Sequence, residues 1–245
     1  MASRSPSEQR LAAATEAAAP LIAPDGEAVR EFRIIVLASG TGTNLQAILD
    51  QVHGRDGIAV VGVGSDRPQA RALERAETAG IETEAFPTTE YGSRAERDRA
   101  IGDWIQARGA DLVVLAGYMQ LLCPVLVRRF RNRIVNVHPA LLPSFPGLDA
   151  IGRALEHGVA VTGVTVHFVD EGVDSGPIIL QRAVPVPRDR DREALEEQIH
   201  RVEHELLPEA VRLIAAGRVG LDDANPRLVR IEPDEGDRAS RSGAT

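Results

Sequence analysis

An amide, an imidazole and a carboxylate mark two short stretches of this sequence, Asn136-Val137-His138-Pro139-Ala140 and Asp174-Ser175-Gly176-Pro177. Asn136 and His138 lie two positions apart, and in extended chain that spacing puts both side chains on one face. Pro139 biases His138 toward an extended conformation. The apolar run Arg133-Ile134-Val135 reads as a buried strand, so the pair stands where the chain leaves a sheet. Turn residues bracket Asp174. The three groups suit stabilising a developing oxyanion and moving a proton. A carboxylate beside His138 would raise the imidazole pKa and favour its protonated form. The same residues also fit a strand end with its polar groups satisfied.

Other stretches carry chemistry less specifically. Ser39-Gly40-Thr41-Gly42-Thr43-Asn44 joins an apolar run to a helical pattern. Gly42, Thr43 and Asn44 could present backbone amides and polar side chains to a phosphate at a helix N-terminus. A tight turn with Thr43 or Asn44 as N-cap is the alternative. No lysine precedes Thr43, so this is not a P-loop, and the third glycine of the dinucleotide fingerprint is absent. Arg94 opens a charged helix and reads as a solvated cation or a contact for a substrate anion. Met119, Leu121 and Leu122 follow a buried strand and fit either core or an apolar slot for a ring. His138, His167, Asp170 and Asp174 offer nitrogen and oxygen donors, but in no compact metal-ligand spacing.

These residues need a frame. Strands are predicted from Phe32 to Leu37, Ile58 to Val63, Ile81 to Phe86, Asp111 to Ala116 and Ile134 to Val137. Helical spacing follows at Leu45, Ile48, Leu49 and Val52, then from Ala70 to Ala79, Ser93 to Arg108 and Pro124 to Phe130. Near-continuous apolar strands alternating with helices predict an α/β fold: an open, twisted, mostly parallel sheet with helices on both faces. After Gly147 come a helix from Ala150 to His157 and two runs, Val161 to Val169 and Ile178 to Val186, which predict an antiparallel addition. A last helix from about Arg192 to Ala216 should kink at Pro208. In such sheets ligands sit beyond the carboxyl ends of the strands, where Ser39 to Asn44, Gly117 to Gln120 and Asn136 to Pro139 all fall.

The chain has 245 residues, 43% of them hydrophobic, a net charge of −8 and one cysteine. That fits one large domain or two small ones. The absence of a Lys/Arg block argues against nucleic-acid and membrane-surface partners. Cys123 has no internal partner for a disulfide, and a cytoplasmic chain is the plain reading. Residues 1–31 are expected to form a disordered tail, 32–221 the catalytic domain, and 222–245 an extension mobile from about 232.

Asn136 to Pro143, Phe145-Pro146-Gly147, and Val166-His167-Phe168-Val169 through Asp174-Ser175-Gly176-Pro177 resemble the folate-dependent formyltransferases. The loop Ser39 to Asn44, followed by Leu45-Gln46-Ala47-Ile48, narrows the resemblance to members that act in purine biosynthesis. It covers about residues 33–221 and implies a Rossmann-like formyltransferase fold. The implied reaction moves the formyl group of 10-formyltetrahydrofolate to the amine of glycinamide ribonucleotide, without a metal. By the same resemblance Asn136 and His138 would stabilise the oxyanion, with His138 donating the proton and Asp174 holding it cationic. Gly42, Thr43, Asn44, His200 and Glu203 would bind the ribonucleotide. Arg94, Met119, Gln120, Leu121, Leu122 and Asn136, with Asp170, Glu171, Gly172, Val173 and Asp174, would hold the folate. Leu142-Pro143 would be a cis peptide, and the enzyme a monomer or homodimer. Gln120 stands where relatives carry an Arg, Ser144 where some carry a Lys, and Asp149-Ala150 where some carry a His. Two sister activities, transfer to initiator methionyl-tRNA and hydrolysis of the formyl folate, are expected to need an extra domain that this length does not accommodate. A silent folate-binding module is a further alternative, opposed by the presence of Asn136, His138 and Asp174 together.

Overall fold

The computed structural model describes residues 30–233. Nearly all of the expected disordered tail and of the expected mobile end fall outside the described residues. Seven strands form one sheet: β1 (Phe32–Leu37), β2 (Ile58–Ser65), β3 (Thr83–Ala85), β4 (Leu112–Leu115), β5 (Ile134–His138), β6 (Val161–Phe168) and β7 (Ile178–Pro185). Their order is β3-β2-β1-β4-β5-β6-β7. The first five are parallel to their neighbours, and β6 and β7 add antiparallel. The helices are α1 (Thr43–Gln51), α2 (Arg71–Thr78), α3 (Arg94–Ala107), α4 (Pro124–Arg129), α5 (Ala150–His157) and α6 (Arg192–Ala215), with a 3-10 turn at Thr88–Glu90.

Strand β1 shows why the apolar runs have no polar alternation. Ile34 and Val36 pack with Leu45 and Ile48 of α1 and with Leu195, Ile199 and Leu206 of α6. Ile35 and Leu37 face the other way, onto Ile101, Trp104 and Ile105 of α3 and Leu126 of α4. Both faces of the sheet are therefore covered, as continuous apolar strands require.

The third strand and the segment beyond α6 depart from the sequence expectations. The third strand is half the predicted run, because the Ile81 N–H turns back to the Ala76 carbonyl and closes α2. Helix α6 runs as one element through Pro208. The missing N–H of Pro208 frees the carbonyl of His204, four residues back, which accepts a hydrogen bond from Gln51 Nε2 at 2.9 Å. Beyond α6, β8 (Val219–Leu221) and β9 (Val229–Ile231) pair as an antiparallel hairpin that spans the expected boundary at residue 221. Three-residue strands are too short to show a periodicity, so neither was predicted.

The strand order reverses between β1 and β4, and the crevice there is the natural ligand site of an open α/β sheet. The loops after β1 and β4 meet at that point. The Ser39 N–H donates to the Gly117 carbonyl at 3.1 Å, and the Met119 N–H donates to Ser39 Oγ at 2.8 Å.

Candidate active site

The end of β5 carries Asn136 and His138, and the register of β6 sets His167 opposite Asn136. The segment after β6 folds back on itself. Asp170 Oδ1 accepts from the Gly172 N–H at 3.0 Å and from Ser175 Oγ at 2.7 Å, shaping a turn that returns Asp174 to β5. Gly176 seats this turn: a Cβ there would lie 1.8 Å from the Phe168 carbonyl oxygen. Asp174 adopts a left-handed φ of 49°. Its Oδ2 lies 3.3 Å from His138 Nδ1 and accepts from the Gly147 N–H at 2.7 Å. Its Oδ1 lies 3.4 Å from Asn136 Nδ2 and 3.6 Å from His167 Nε2. The other ring nitrogen of His138 donates to the Phe145 carbonyl at 2.9 Å.

The four possible nitrogen and oxygen donors, His138, His167, Asp170 and Asp174, all have partners within the protein. His167 directs Nδ1 to the Phe168 carbonyl at 2.8 Å, and Asp170 builds its own turn. Among the described residues no group of three or more His, Cys, Asp and Glu is placed to hold a metal ion.

Electrostatics correct one expectation. Burial pushes the His138 pKa below 6.5, and this outweighs the Asp174 carboxylate and the Phe145 carbonyl, which both raise it. The ring therefore rests neutral at neutral pH rather than being held cationic. Burial also raises the Asp174 carboxyl. The His167 side chain, the Gly147 N–H and the nearby charge of His138 outweigh that and hold it at about 2, below 3.8.

Both groups bind protons less readily folded than unfolded. Each therefore contributes stability that is present above its unfolded pKa and lost as pH falls through the folded one. Stability should decline as pH drops below 6.5, where His138 resists a proton that the unfolded chain takes up, and again from 3.8 toward 2 as Asp174 is protonated. Urea unfolding across this range should show both losses, and Asp174→Asn should abolish the lower one.

The predicted residues fall around three adjoining cavities. The largest, about 580 Å³, is lined by Asn136, His138 and Asp174 together with Arg94, Met119, Gln120, Leu121 and Val173. A second, about 260 Å³, contains Gly42, Thr43, Asn44, His200 and Glu203. It shares Gly117, Met119, Val137, Pro139 and Ile151 with the first. A third, about 240 Å³, adds Leu122, Asp170, Glu171 and Gly172. In the second, Gly42 takes a left-handed φ of 72°, and a Cβ there would sit 2.7 Å from Ala72 Cα. Asn44 Nδ2 donates to Glu203 Oε2 at 3.0 Å, while Asn44 Oδ1 is buried without a partner. Burial raises the Glu203 pKa against the bond from Asn44.

Two of these lining residues also make side-chain bonds to other parts of the protein. The Gln120 side chain is bonded to Asp66 and Arg97, and Glu171 pairs with Arg128 on the surface. The residues that sequence spacing does not expose are mostly backbone donors and acceptors, the Gly147 N–H and the Phe145 carbonyl, which carry no side-chain signature. Tyr118, Leu148 and Arg192 also line the main cavity. His167 does have a signal: it stands opposite Asn136 once β5 and β6 are paired.

Two adjoining cavities that share a wall, with a carboxylate, an imidazole and an amide lining the larger, suit the transfer of a group between two bound molecules, as in a group transferase. The chain belongs to the formyl transferase family, whose model matches residues 32–211. It is 40% identical over 182 residues to the phosphoribosylglycinamide formyltransferase of Bacillus subtilis, covering 74% of this chain and 93% of that protein. It is 42% identical to the trifunctional purine biosynthetic protein adenosine-3 of Bos taurus, where the match covers 84% of this chain and 20% of the larger protein. The crystal structure of glycinamide ribonucleotide transformylase 1 from Symbiobacterium toebii superposes with a TM-score of 0.79 at 51% identity, covering 83% of this chain and 95% of that one.

Proposed function

We propose that this enzyme transfers the formyl group of 10-formyltetrahydrofolate to the amine of glycinamide ribonucleotide, a step of purine biosynthesis. The observation that carries the reading is the shared wall between the cavity of the glycine loop and the cavity of His138, which lets an anionic amine substrate and a ring-bearing formyl donor meet at one imidazole. The ribonucleotide phosphate sits on the amides of Gly42, Thr43 and Asn44, at the N-terminus of α1. Its ribose faces His200 and Glu203. Arg94, Met119 and Leu121, with Leu122 and the turn from Asp170 to Asp174, take the folate.

The amine nitrogen attacks the formyl carbon, and negative charge grows on the formyl oxygen. Asn136 supplies a hydrogen bond to that oxygen, and His138 supplies a second once it is protonated. A neutral His138 suits this order of events. With its Nδ1–H turned to Asp174, its Nε2 leaves the Phe145 carbonyl for the substrate, takes the proton that the attacking nitrogen sheds, and passes it to the folate nitrogen as the carbon–nitrogen bond breaks. The Asp174 carboxylate, ionised because its pKa lies at about 2, stabilises the transient imidazolium. The acceptor gains a formyl group, and the departing tetrahydrofolate gains the proton that the amine lost.

No described helix is long and apolar enough to cross a membrane. The net charge of −8, with no Lys/Arg block, favours small-molecule substrates over nucleic-acid partners.

A spectrophotometric assay of tetrahydrofolate release, run with and without glycinamide ribonucleotide, tests the reading. Release should require the amine; release without it would indicate hydrolysis instead. Asn44→Ala should raise the KM for the ribonucleotide by roughly 10- to 100-fold and change kcat less, because it keeps the backbone amide but removes the side-chain bond that holds Glu203, a bond of about 1.5–3 kcal/mol when the carboxyl is charged. Steady-state kinetics with each substrate varied in turn checks this.

A further inference from the structure

Gly117 to Cys123 contains no helix or strand, yet it supplies the apolar wall of the main cavity. Met119 and Leu121 stand 55% and 57% exposed on that wall. Their placement depends on bonds that reach the segment from outside, at three anchoring residues. Ser39 Oγ accepts the Met119 N–H. Gln120 Nε2 donates to Asp66 Oδ2 at 2.9 Å, while its Oε1 accepts from Arg97 Nη1 at 3.1 Å. The Cys123 N–H donates to Asp98 Oδ2 at 2.5 Å.

Two of these anchors lead to one place. Arg97 and Asp98 are 2% and 0% exposed, and Arg97 Nε and Nη2 both donate to Asp98 Oδ1, at 3.2 and 3.0 Å. A buried ion pair is a poor source of stability, since removing two charges from water offsets most of their attraction. Its value here lies in what its remaining atoms hold. The third nitrogen of Arg97 fixes the middle of the cavity wall, and the second oxygen of Asp98 fixes its end. The amide of Gln120 spends its carbonyl on Arg97 and one N–H on Asp66, so both of its ends are engaged within the protein.

We propose that the buried Arg97–Asp98 pair, acting through Gln120 and the Cys123 N–H, sets the wall against which the folate ring packs, and that Gln120 is a positioning residue and not a ligand contact. This rests on the functional reading above for the identity of the ligand.

The test is kinetic and calorimetric, on the full chain. Gln120→Ala should raise the KM for 10-formyltetrahydrofolate, and the Kd for tetrahydrofolate, by about tenfold, while kcat and the KM for glycinamide ribonucleotide move far less. Asp66→Asn should do the same more weakly. The double variant should be no worse than Gln120→Ala alone, because both changes cut one chain of bonds. An unchanged folate Kd in Gln120→Ala overturns the proposal. So do effects that multiply in the double variant, which would make Gln120 a direct contact, and a fall of kcat and Tm with both KM values raised alike, which would make the network merely structural. Should the wild-type enzyme bind tetrahydrofolate but transfer no formyl group, the functional reading fails instead, and the Kd comparison still decides the role of Gln120.

Discussion

His138→Ala is expected to lower kcat by about a thousandfold, with the KM for the formyl donor changed by no more than a few-fold, because the loss combines proton transfer with oxyanion stabilisation. The fold should tolerate the change. Asp174 Oδ2 keeps its bond from the Gly147 N–H, so the carboxylate is not left bare. The Phe145 carbonyl loses its donor, and the stability cost should be on the order of 1–3 kcal/mol. Rapid-quench measurement of a single turnover separates the chemical step from product release, and the defect should lie in the chemical step. A defect confined to KM would mean that His138 only binds substrate.

Asp174→Asn should cost about a hundredfold in kcat, again with the folate KM little changed. Asn is the informative replacement for a backbone reason. Asp174 sits at φ 49°, a region that Asn tolerates and Ala does not. The turn therefore keeps its shape, and the Gly147 N–H still finds an oxygen, so the kinetic change reports the lost charge. What disappears is the negative partner that a transient imidazolium at His138 needs. Asp174→Ala should be both slower and less stable than Asp174→Asn, and thermal melts of the two variants separate charge from backbone strain.

The sequence made the frame legible because the frame obeys short-range rules. Ile34 to Leu37 carry no polar alternation, so a strand covered on both faces was readable before any partner was known. Ser93 marked the start of α3, and its Oγ indeed accepts the Glu96 N–H. Asn136 and His138 were readable because their spacing matches a strand's period. The resemblance carried the distant groups, Asp174, Glu203 and Asn44, into one site, and local pattern could not have done so.

What stayed hidden was long-range or electrostatic. The direction of the His138 shift depends on how much water the fold removes, and the balance of burial against one carboxylate is not a property of neighbours in sequence. The charged pair Arg97-Asp98 reads as part of a solvated helix face, yet both side chains are almost wholly buried. Gln120 read as a ligand contact because of where it lies in the motif; its partners, Asp66 and Arg97, come from the loop after β2 and from α3.

One NMR titration bears most directly on the pairing at the centre of the site. The His138 ring resonances, followed with pH in the empty wild-type enzyme, should give a pKa below 6.5, and in Asp174→Asn a value lower still, because the carboxylate is what opposes burial. A His138 pKa that does not move when Asp174 is neutralised would show that the two side chains do not act as a pair, and a wild-type value at or above 6.5 would show that the carboxylate outweighs burial, so that the ring does not rest neutral as the account requires.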